Sequence, residues 1–344
     1  MGRLIILAAA LAAWFCGNAT GNAAVVSFSL VTVGVPGNPA DDSGYGAVNY
    51  VYSIGQYEVT NAQYAAFLNA VDPNGIQPLR LYHGNMAAND EAGGIAYEAS
   101  AASGSHYHPK AGREDRPVAF VSIWSAARFV NWLHNGQPVL DASATIDDIE
   151  SVCNRGAYDI VEGSPLIRQP NATWFLPNFD EWYKAAYYDP ASGAYYDYPT
   201  RSDTPPVPSL PPGGADSANL NMVAGGPTST GAYPDAYSPF GTFDQAGNIG
   251  EWIEDFSIVK NDLAAALSDH YKKKRAYKAG YMKWINPSAT WSTTGFRVAG
   301  PAPVPEPNTW IGLCGIGAVA AFTCMYKRRT VWRRRPTHPT NRPG

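Results

Sequence analysis

The sequence predicts an irregular α+β domain, with one further C-terminal segment long enough to cross a membrane as a helix. Capped helical segments alternate with long turn-rich segments, and the chain holds no internal repeat. Tyr (21), Trp (10), Gly (33) and Pro (28) are abundant, whereas charged residues make up only 16% of the chain. This composition favours tight turns and aromatic packing over a helical bundle.

The N-terminal part is predicted to contain two strands and a helix. Residues 25–33 and 50–57 are rich in β-branched and aromatic side chains, which is typical of strands, and residues 34–46 between them are turn-rich. Thr60, followed three residues later by Gln63, has the capping-box pattern and predicts the start of a helix. The apolar stripe of this helix consists of Tyr64, Phe67, Leu68 and Val71.

The middle of the chain predicts a short strand and two more helices. Residues 117–121 are expected to form the strand, and Ser122 is expected to cap the second helix. Residues 135–171 form a variable stretch without a predicted element. Asn178 and Glu181 repeat the capping-box spacing and predict a third helix. The remainder is expected to consist of short strands and turns.

Both ends of the chain indicate export. Arg3 precedes an apolar stretch, and residues 1–24 predict a secretory signal peptide. Residues 310–326 carry no charge and are long enough to cross a bilayer as a helix. The basic tail at residues 327–344 is expected to stay in the cytoplasm. Everything between the signal peptide and this helix is therefore predicted to lie outside the inner membrane.

A proline-rich linker at residues 301–309 precedes the apolar run and contains Pro305, Glu306 and Pro307. This motif, a short hydrophobic helix and an arginine cluster, in that order, resemble the PEP-CTERM sorting signal of Gram-negative bacteria. The resemblance implies that a membrane protease, exosortase, recognises the tail and releases the protein to the cell envelope or extracellular matrix. The signal peptide predicted at the N-terminus is expected to be removed by signal peptidase. The alternative is a plain C-terminal membrane anchor.

The predicted exported part is strongly acidic. Of the 25 Lys and Arg, seven lie beyond residue 326 and one is Arg3, whereas all 29 Asp and Glu lie between, which leaves a net charge of −12. Such a surface disfavours nucleic acid, whose phosphates need a basic face. Cys153 is the only cysteine between the signal peptide and the predicted membrane helix. A disulfide or a two-cysteine metal site therefore cannot form within this part.

Five segments match the motifs of one family in the right order. Segments that begin at Glu58, Pro117, Leu176, Gly241 and Gly295 match, in that order, the patterns EVTNAQYxxF, PVxxVSWxxA, LPTxxEWExAA, GLxDMxGNVWEW and GFRxA. The chain thus resembles the formylglycine-generating enzyme family, also called the sulfatase-modifying factor family, over residues 45–300, with residues 25–44 as a preceding strand and turn. The resemblance implies an irregular α+β fold related to C-type lectins.

The segment from Asp244 to Glu251 is the best candidate for an ion site. Two carboxylates flank a glycine turn, and calcium binds carboxylate and carbonyl oxygens on such turns. The resemblance implies a structural calcium ion held by Asp244, Glu251 and the carbonyls of Gly247 and Ile249. It also implies a second calcium site that uses Asn219 and the Leu220 carbonyl. The alternative is a glycine turn whose acids cap neighbouring amides.

The oxidative chemistry of the family is expected to be absent. Members that make formylglycine bind copper through two cysteines in their last strands, and copper(I) prefers such thiolate ligands. The matching residues 275–300 hold no cysteine, and Val298 stands where generating enzymes carry one. We therefore predict that copper is not bound. The pair His106 and His108 is more typical of a solvated loop than of a metal site.

The residues leave three functions open. The first is a non-catalytic module that binds a glycan or an envelope protein. Its candidate ligand cleft consists of the aromatic residues Tyr277, Tyr281, Trp284 and Trp291, which lie where the family builds its substrate cleft, although core packing explains them equally well. The second is a divergent metal-dependent oxidase or hydroxylase. The third is a structural component of an exopolysaccharide layer.

Overall fold

The described chain consists of short helices and strands separated by turns and loops. A computed structural model describes residues 25–257, 263–267 and 269–302. The predicted signal peptide, Pro-Glu-Pro motif, apolar run and basic tail lie outside these residues. The helices are α1 (Asn61–Val71), α2 (Asn85–Ala88), α3 (Ile123–His134), α4 (Ile146–Cys153) and α5 (Phe179–Tyr187), with a 3₁₀ turn at Pro78–Arg80.

Within the described residues, the strands form two main sheets and three small pairs. In chain order they are β1 (Leu30–Val33), β2 (Tyr52–Gly55), β3 (Ile95–Tyr97), β4 (Tyr107–Pro109), β5 (Tyr188–Asp189), β6 (Ala194–Tyr195), β7 (Val207–Pro208), β8 (Ser217–Ala218), β9 (Gly250–Ser257), β10 (Leu263–Leu267), β11 (Met282–Ile285), β12 (Thr294–Phe296) and β13 (Ala299–Pro301). One sheet has the order β1-β2-β13 and the other β11-β10-β9-β12. Strand β12 runs parallel to β9, and the other pairs in these two sheets are antiparallel.

The three predicted helix starts are confirmed, and hydrogen bonds explain two of them fully. The Thr60 hydroxyl accepts the backbone N–H of Gln63 at 3.3 Å, and the Gln63 side chain accepts the N–H of Thr60 at 2.9 Å. Asn178 and Glu181 exchange the same two bonds at 2.9 and 2.7 Å. Ser122 accepts the N–H of Ser125 at 3.1 Å. Local cap chemistry therefore fixes where α1, α3 and α5 begin.

Three sequence predictions of secondary structure need correction. The first strand begins at Leu30 and is shorter than predicted. Residues 117–121 do not form a strand, because Phe120 has φ +62°, which interrupts an extended run, and only an isolated bridge joins Thr60 to Pro117. The stretch at 135–171 contains α4, whose start has a capping box between Thr145 and Asp148.

Helices α1 and α3 pack against the end of β12 through aromatic rings. Phe129 of α3 contacts Tyr64 and Phe67 of α1 with ring centroids 5.8 and 5.3 Å apart. Phe296 of β12 meets Phe129 at 5.4 Å in an edge-to-face arrangement. These rings are all fully buried. The predicted apolar stripe of α1 thus meets α3 and β12 in one core, and that core holds β12 in place.

The β11-β10-β9-β12 sheet packs against apolar side chains on both faces. Because side chains alternate along a strand, successive residues of β11 lie on opposite faces. Met282 and Trp284 of β11 pack with Ala265 of β10 against the α5 side chains. Ile285 of β11 packs instead into the larger core on the opposite face. Lys283 lies between Met282 and Trp284, so it shares the face of Ile285. Within the described residues no helix is long and apolar enough to span a bilayer.

Candidate functional site

Four of the five motifs meet in one buried hydrogen-bonded network. Arg297, which follows β12, donates from Nε to Glu251 Oε2 and from Nη2 to Glu251 Oε1, both at 2.6 Å. Trp182 Nε1 of α5 donates to Glu251 Oε2 at 2.7 Å. Arg297 also donates to the carbonyls of Gly55 and Phe243 at 2.9 Å each. Because β12 pairs with β9 in parallel register, Gly295 sits beside Glu251 and places this arginine over it.

Two further carboxylates belong to this network. Glu58 Oε1 accepts the side-chain N–H of Asn248 at 2.9 Å, and Asp244 Oδ2 accepts the backbone N–H of Gly231 at 2.6 Å. Burial raises the pKa of Glu58 well above its ordinary value, and the charge of Asp244 raises it further. Burial also raises the pKa of Asp244, to about 6. Two buried carboxyl groups and the half-buried Asp244 thus lie near one guanidinium, so the carboxyl groups outnumber the cation.

The residues of the two predicted calcium sites lie side by side. The Asn219 carbonyl accepts the backbone N–H of Asn248 at 3.0 Å, and Asn219 Nδ2 donates to Asn248 Oδ1 at 3.2 Å. Gly247 has φ +112°, and a Cβ there would lie 2.6 Å from the Asn219 carbonyl oxygen. The turn therefore requires glycine. Leu220 and Ile249 point their side chains into apolar cores.

An exposed cluster of rings and amines lies apart from the buried network. We call Lys273, Tyr277, Tyr281, Lys283 and Trp291 the aromatic–lysine surface. The two tyrosine rings stack with centroids 3.9 Å apart at 14°, and Lys273 Nζ lies 4.7 and 5.6 Å from their centroids. Lys283 Nζ lies 4.2 Å from the Trp291 ring centroid. Tyr281 and Trp291 keep 37% and 40% of their surface exposed.

Comparison with known families identifies the architecture. A family model described as a sulfatase-modifying factor enzyme 1-like domain matches residues 47–302. The chain belongs to this family. The motif residues Glu58, Trp182, Glu251 and Arg297 therefore form an internal network of a sulfatase-modifying factor domain.

Solved structures are similar in fold. The crystal structure of CarF is 20% identical, with 81% of this chain and 100% of CarF covered and a TM-score of 0.51. Treponema denticola variable protein 1 is 16% identical, covers 80% of this chain and 96% of its own, and has a TM-score of 0.48. PvdO from Pseudomonas aeruginosa is 15% identical over 80% and 92%, with a TM-score of 0.39. Comparison with curated proteins finds no match. At its identity, the CarF likeness supports the mixed α and β fold alone.

The sulfatase-modifying factor domain offers oxygen atoms to a hard cation, and the predicted ligand residues differ in how far their oxygens are already engaged. Arg297 and Trp182 already occupy both oxygens of Glu251, whereas Glu58 Oε2 and Asn219 Oδ1 are buried without a hydrogen-bond donor. In the described ranges no three His, Cys, Asp or Glu side chains are grouped to hold a metal ion. Calcium binds carboxylate and carbonyl oxygens, and the carboxyl groups near Arg297 outnumber this one cation, so these residues fit calcium. Calcium binding stays a prediction.

The cysteine and histidines singled out from sequence take structural positions. Cys153 ends α4 inside the core, where burial raises the pKa of its thiol to about 12, so a nucleophilic thiolate is disfavoured. His106 Nδ1 lies 2.9 Å from the Glu98 carbonyl oxygen. His108 lies on the exposed side of β4, with Nε2 3.9 Å from the Glu98 carboxylate. Neither histidine points toward the buried network of motif residues.

A second, partly buried charge cluster was missed by sequence reasoning. Arg168 donates to both oxygens of Glu181 at 2.8 and 2.7 Å and to Glu254 at 2.9 Å, with its guanidinium 3.6 Å from the Phe175 ring centroid. Burial raises the pKa of Glu254 to about 7 although Arg168 opposes the shift. Tyr158 donates to Glu254 at 2.7 Å. No local pattern marks Arg168, because its acidic partners Glu181 and Glu254 lie 13 and 86 residues away, beyond any helix or strand spacing.

The predicted aromatic cleft divides between surface and core. Tyr277, Tyr281 and Trp291 contribute to the aromatic–lysine surface, while Trp284 packs against the apolar cluster of α5. Next to this surface, residues 278 and 279 line a cleft of about 580 Å³ whose other wall carries Asp41, Asp42 and Asp197. A separate cavity of about 680 Å³ lies beside α4. It contains no residue of the five motifs.

Proposed function

We propose that this sulfatase-modifying factor domain is an exported binding module that recognises a glycan or an envelope protein and does not generate formylglycine. The observation that carries the proposal is the aromatic–lysine surface, where Trp291 and Tyr281, which stacks on the half-buried Tyr277, stay exposed. Aromatic rings offer a large, rigid contact area at low entropic cost, and they also carry polar groups for orientation. They lie in the segment where the family builds its substrate cleft.

The absence of a cysteine pair from the sequence supports a binding role over oxidation. Cys153 is the only cysteine between residues 25 and 302, and it is buried in the core. Copper(I) chemistry needs soft ligands at an accessible site. The motif residues that the chain retains are engaged with one another inside the protein. The network thus supports the loops, and the exposed rings contact the ligand.

The proposed location is the cell envelope or extracellular matrix. It rests on the signal-peptide pattern at residues 1–24 and on the Pro305-Glu306-Pro307 motif with its apolar run and arginines. Signal peptidase and exosortase would process the two ends. The protein is expressed in matched strains with and without an exosortase. The molecular mass of the protein released from the cells then shows whether the C-terminal tail has been removed. Retention of the C-terminal tail in both strains would contradict sorting and favour the plain anchor.

The binding role is tested with a glycan array and a matrix pull-down on the purified protein. Tyr281→Ala and Trp291→Ala together are expected to abolish any ligand signal by removing the exposed ring faces. Ile167→Ala, which also removes an exposed apolar side chain (72% exposed) from a segment outside this surface, serves as the matched control. A blank array and a blank pull-down with the parent protein would refute the proposal.

A further inference from the structure

The segment that carries the aromatic–lysine surface has a charge opposite to that of the domain. The predicted exported part has a net charge of −12. Residues 272–283 nevertheless contain no acid and six cationic residues, namely Lys272, Lys273, Lys274, Arg275, Lys278 and Lys283. A local positive patch on an acidic domain attracts anions at that place alone, because charges are screened beyond about 10 Å at ordinary salt.

The six cations differ in what neutralises them. Lys272 pairs with Glu91 at 2.7 Å and Lys278 with Asp197 at 2.8 Å. Lys273 and Lys283 instead place their amines over the rings of Tyr277, Tyr281 and Trp291. Cation–π contact attracts an amine but cancels none of its charge. These two lysines therefore keep their charge available on the surface.

Lys283, Trp291 and His270 line one small pocket, and Lys273 lies close enough to Lys283 for their charges to interact. Burial lowers the pKa of Lys283, and the charge of Lys273 lowers it further, so the two amines repel each other. The acid whose charge acts on Lys273 from the preceding segment is Asp269, whose carboxylate accepts the backbone N–H of Tyr277 at 2.6 Å. Burial and the lysines hold the pKa of His270 at about 4, which keeps it neutral. An anion placed near both amines would relieve their repulsion.

We propose that the aromatic–lysine surface binds an acidic polysaccharide whose sugar rings lie on Tyr281 and Trp291 and whose carboxylates are held by Lys273 and Lys283. The inference rests on the proposed binding function and narrows its ligand to a uronic-acid polymer. A pyranose ring presents a flat face of C–H groups to an aromatic ring, and a uronic acid adds one carboxylate at its edge. That combination matches rings flanked by amines.

Other ligand classes match this surface less well. A neutral glycan would leave both amines without a counter-charge. A nucleic acid would meet the acidic remainder of the domain, and its phosphates need a long basic track. An acidic peptide supplies carboxylates but no flat ring for the exposed aromatic faces. The cleft with Asp41, Asp42 and Asp197 repels a polyanion, so the polymer is expected to leave the surface on the side away from it.

The test compares three probes that separate charge from ring stacking. Polygalacturonate carries both features, its fully methyl-esterified form keeps the rings without the charge, and poly-L-glutamate keeps the charge without the rings. Binding of each to the purified protein is measured by calorimetry at two salt concentrations. We expect polygalacturonate to bind at least tenfold more tightly than either other probe and to weaken as salt rises.

Two double variants with equal charge change sharpen the test. Lys273→Ala with Lys283→Ala is expected to weaken polygalacturonate binding about tenfold, since each exposed charge contact contributes on the order of 0.7 kcal/mol. Lys272→Ala with Lys278→Ala removes two lysines already paired with acids and is expected to change binding less than twofold. Thermal unfolding of both proteins checks that they are folded.

The outcomes distinguish this inference from the function on which it rests. Equal binding of polygalacturonate and its methyl ester would overturn the acidic ligand but keep a glycan-binding role. Equal binding of poly-L-glutamate would overturn the polysaccharide and favour an acidic protein. Equal losses in the two double variants would remove the assignment to Lys273 and Lys283. No binding of any probe, together with a blank glycan array, would overturn both proposals.

Discussion

The buried network around Glu251 and the aromatic–lysine surface differ in nearly every physical respect. Glu251 and Arg297 are fully buried, fixed by several hydrogen bonds and drawn from the family motifs. Tyr281 and Lys283 are exposed and come from a segment that departs from the motifs. The network thus accounts for the shape of the domain, and the surface accounts for its proposed ligand. The buried network is built from the family motifs, whereas the ligand of the aromatic–lysine surface has to be determined for this protein by itself.

The largest expected effect is the loss of the buried arginine. Arg297→Met leaves the Glu251 carboxylate buried without its counter-charge, which costs about 3–5 kcal/mol of unfolding free energy. Urea denaturation measures this loss. Arg275→Ala, which removes an exposed arginine, is the control and is expected to change stability by less than about 0.5 kcal/mol. Similar effects from the two variants would erase the contrast between network and surface.

The second effect concerns the pH dependence of stability, which we assign to Glu254 in the cluster around Arg168. The folded pKa of Glu254, about 7, lies above its ordinary value of 4.5, so the folded state holds this proton more tightly than the unfolded chain. Its contribution to stability is therefore present below pH 4.5 and is lost as pH rises through about 7. In Glu254→Gln, the decrease in unfolding free energy between pH 4.5 and 7.5 is expected to be smaller than in the parent protein by up to about 3 kcal/mol.

Urea denaturation at pH 4.5 and 7.5 checks the Glu254 prediction. Glu150→Gln, on the exposed side of α4, should leave the pH profile of the parent protein unchanged. A Glu254→Gln protein whose stability falls between the two pH values as steeply as that of the parent would contradict the assignment. In that case Arg168 neutralises Glu254 more completely than burial opposes its charge.

The third effect tests calcium in the buried network. Calcium at about one hundred times its dissociation constant is expected to add about 2.7 kcal/mol of stability, since it binds only the folded domain. Melting with calcium and with a chelator measures the shift. Asp244→Asn should abolish it, whereas Asp235→Asn, at an exposed acid, should not. An unchanged melting temperature in the parent would leave the carboxyl surplus to be neutralised by protons.

The smallest effect on stability is expected at the surface. Tyr281→Ala removes a ring that is 37% exposed and stacked on Tyr277, so stability should fall by less than about 1 kcal/mol. Denaturation of this variant beside Phe129→Ala, in the main core, sets the scale, because the latter should cost about 3–5 kcal/mol. A large loss in the Tyr281 variant would make that ring part of the core.

Sequence reasoning succeeded where the physics is local. The caps at Thr60, Ser122 and Asn178 use bonds between residues three apart, and the structure shows each of them. The same signal at Thr145 was overlooked because Asp148, and not Glu or Gln, stands three residues on, and because the short helix after it buries only Ile149 and Cys153. Local patterns of this kind predicted most of the helices, and the family motifs predicted the fold.

Sequence reasoning failed where partners are far apart. The pairing of Arg297 with Glu251 and of Arg168 with Glu254 joins segments 46 and 86 residues apart, and no spacing rule reveals it. The two predicted calcium sites turned out to be neighbours for the same reason. The backbone of Phe120 adopts a positive φ that its residue type disfavours, so the predicted strand was wrong. Tertiary contacts decided each of these points.

The position of Arg297 also has a consequence for the order of folding. This side chain donates to the carbonyl of Gly55, 242 residues earlier, and strand β13 closes the sheet that β2 begins. The first sheet cannot be completed, nor Glu251 neutralised, until nearly the last described residue has emerged. Contacts this distant in sequence slow folding. A chain built in this way reaches its native state only after β13 is available to pair with β2 and Arg297 is available to neutralise Glu251.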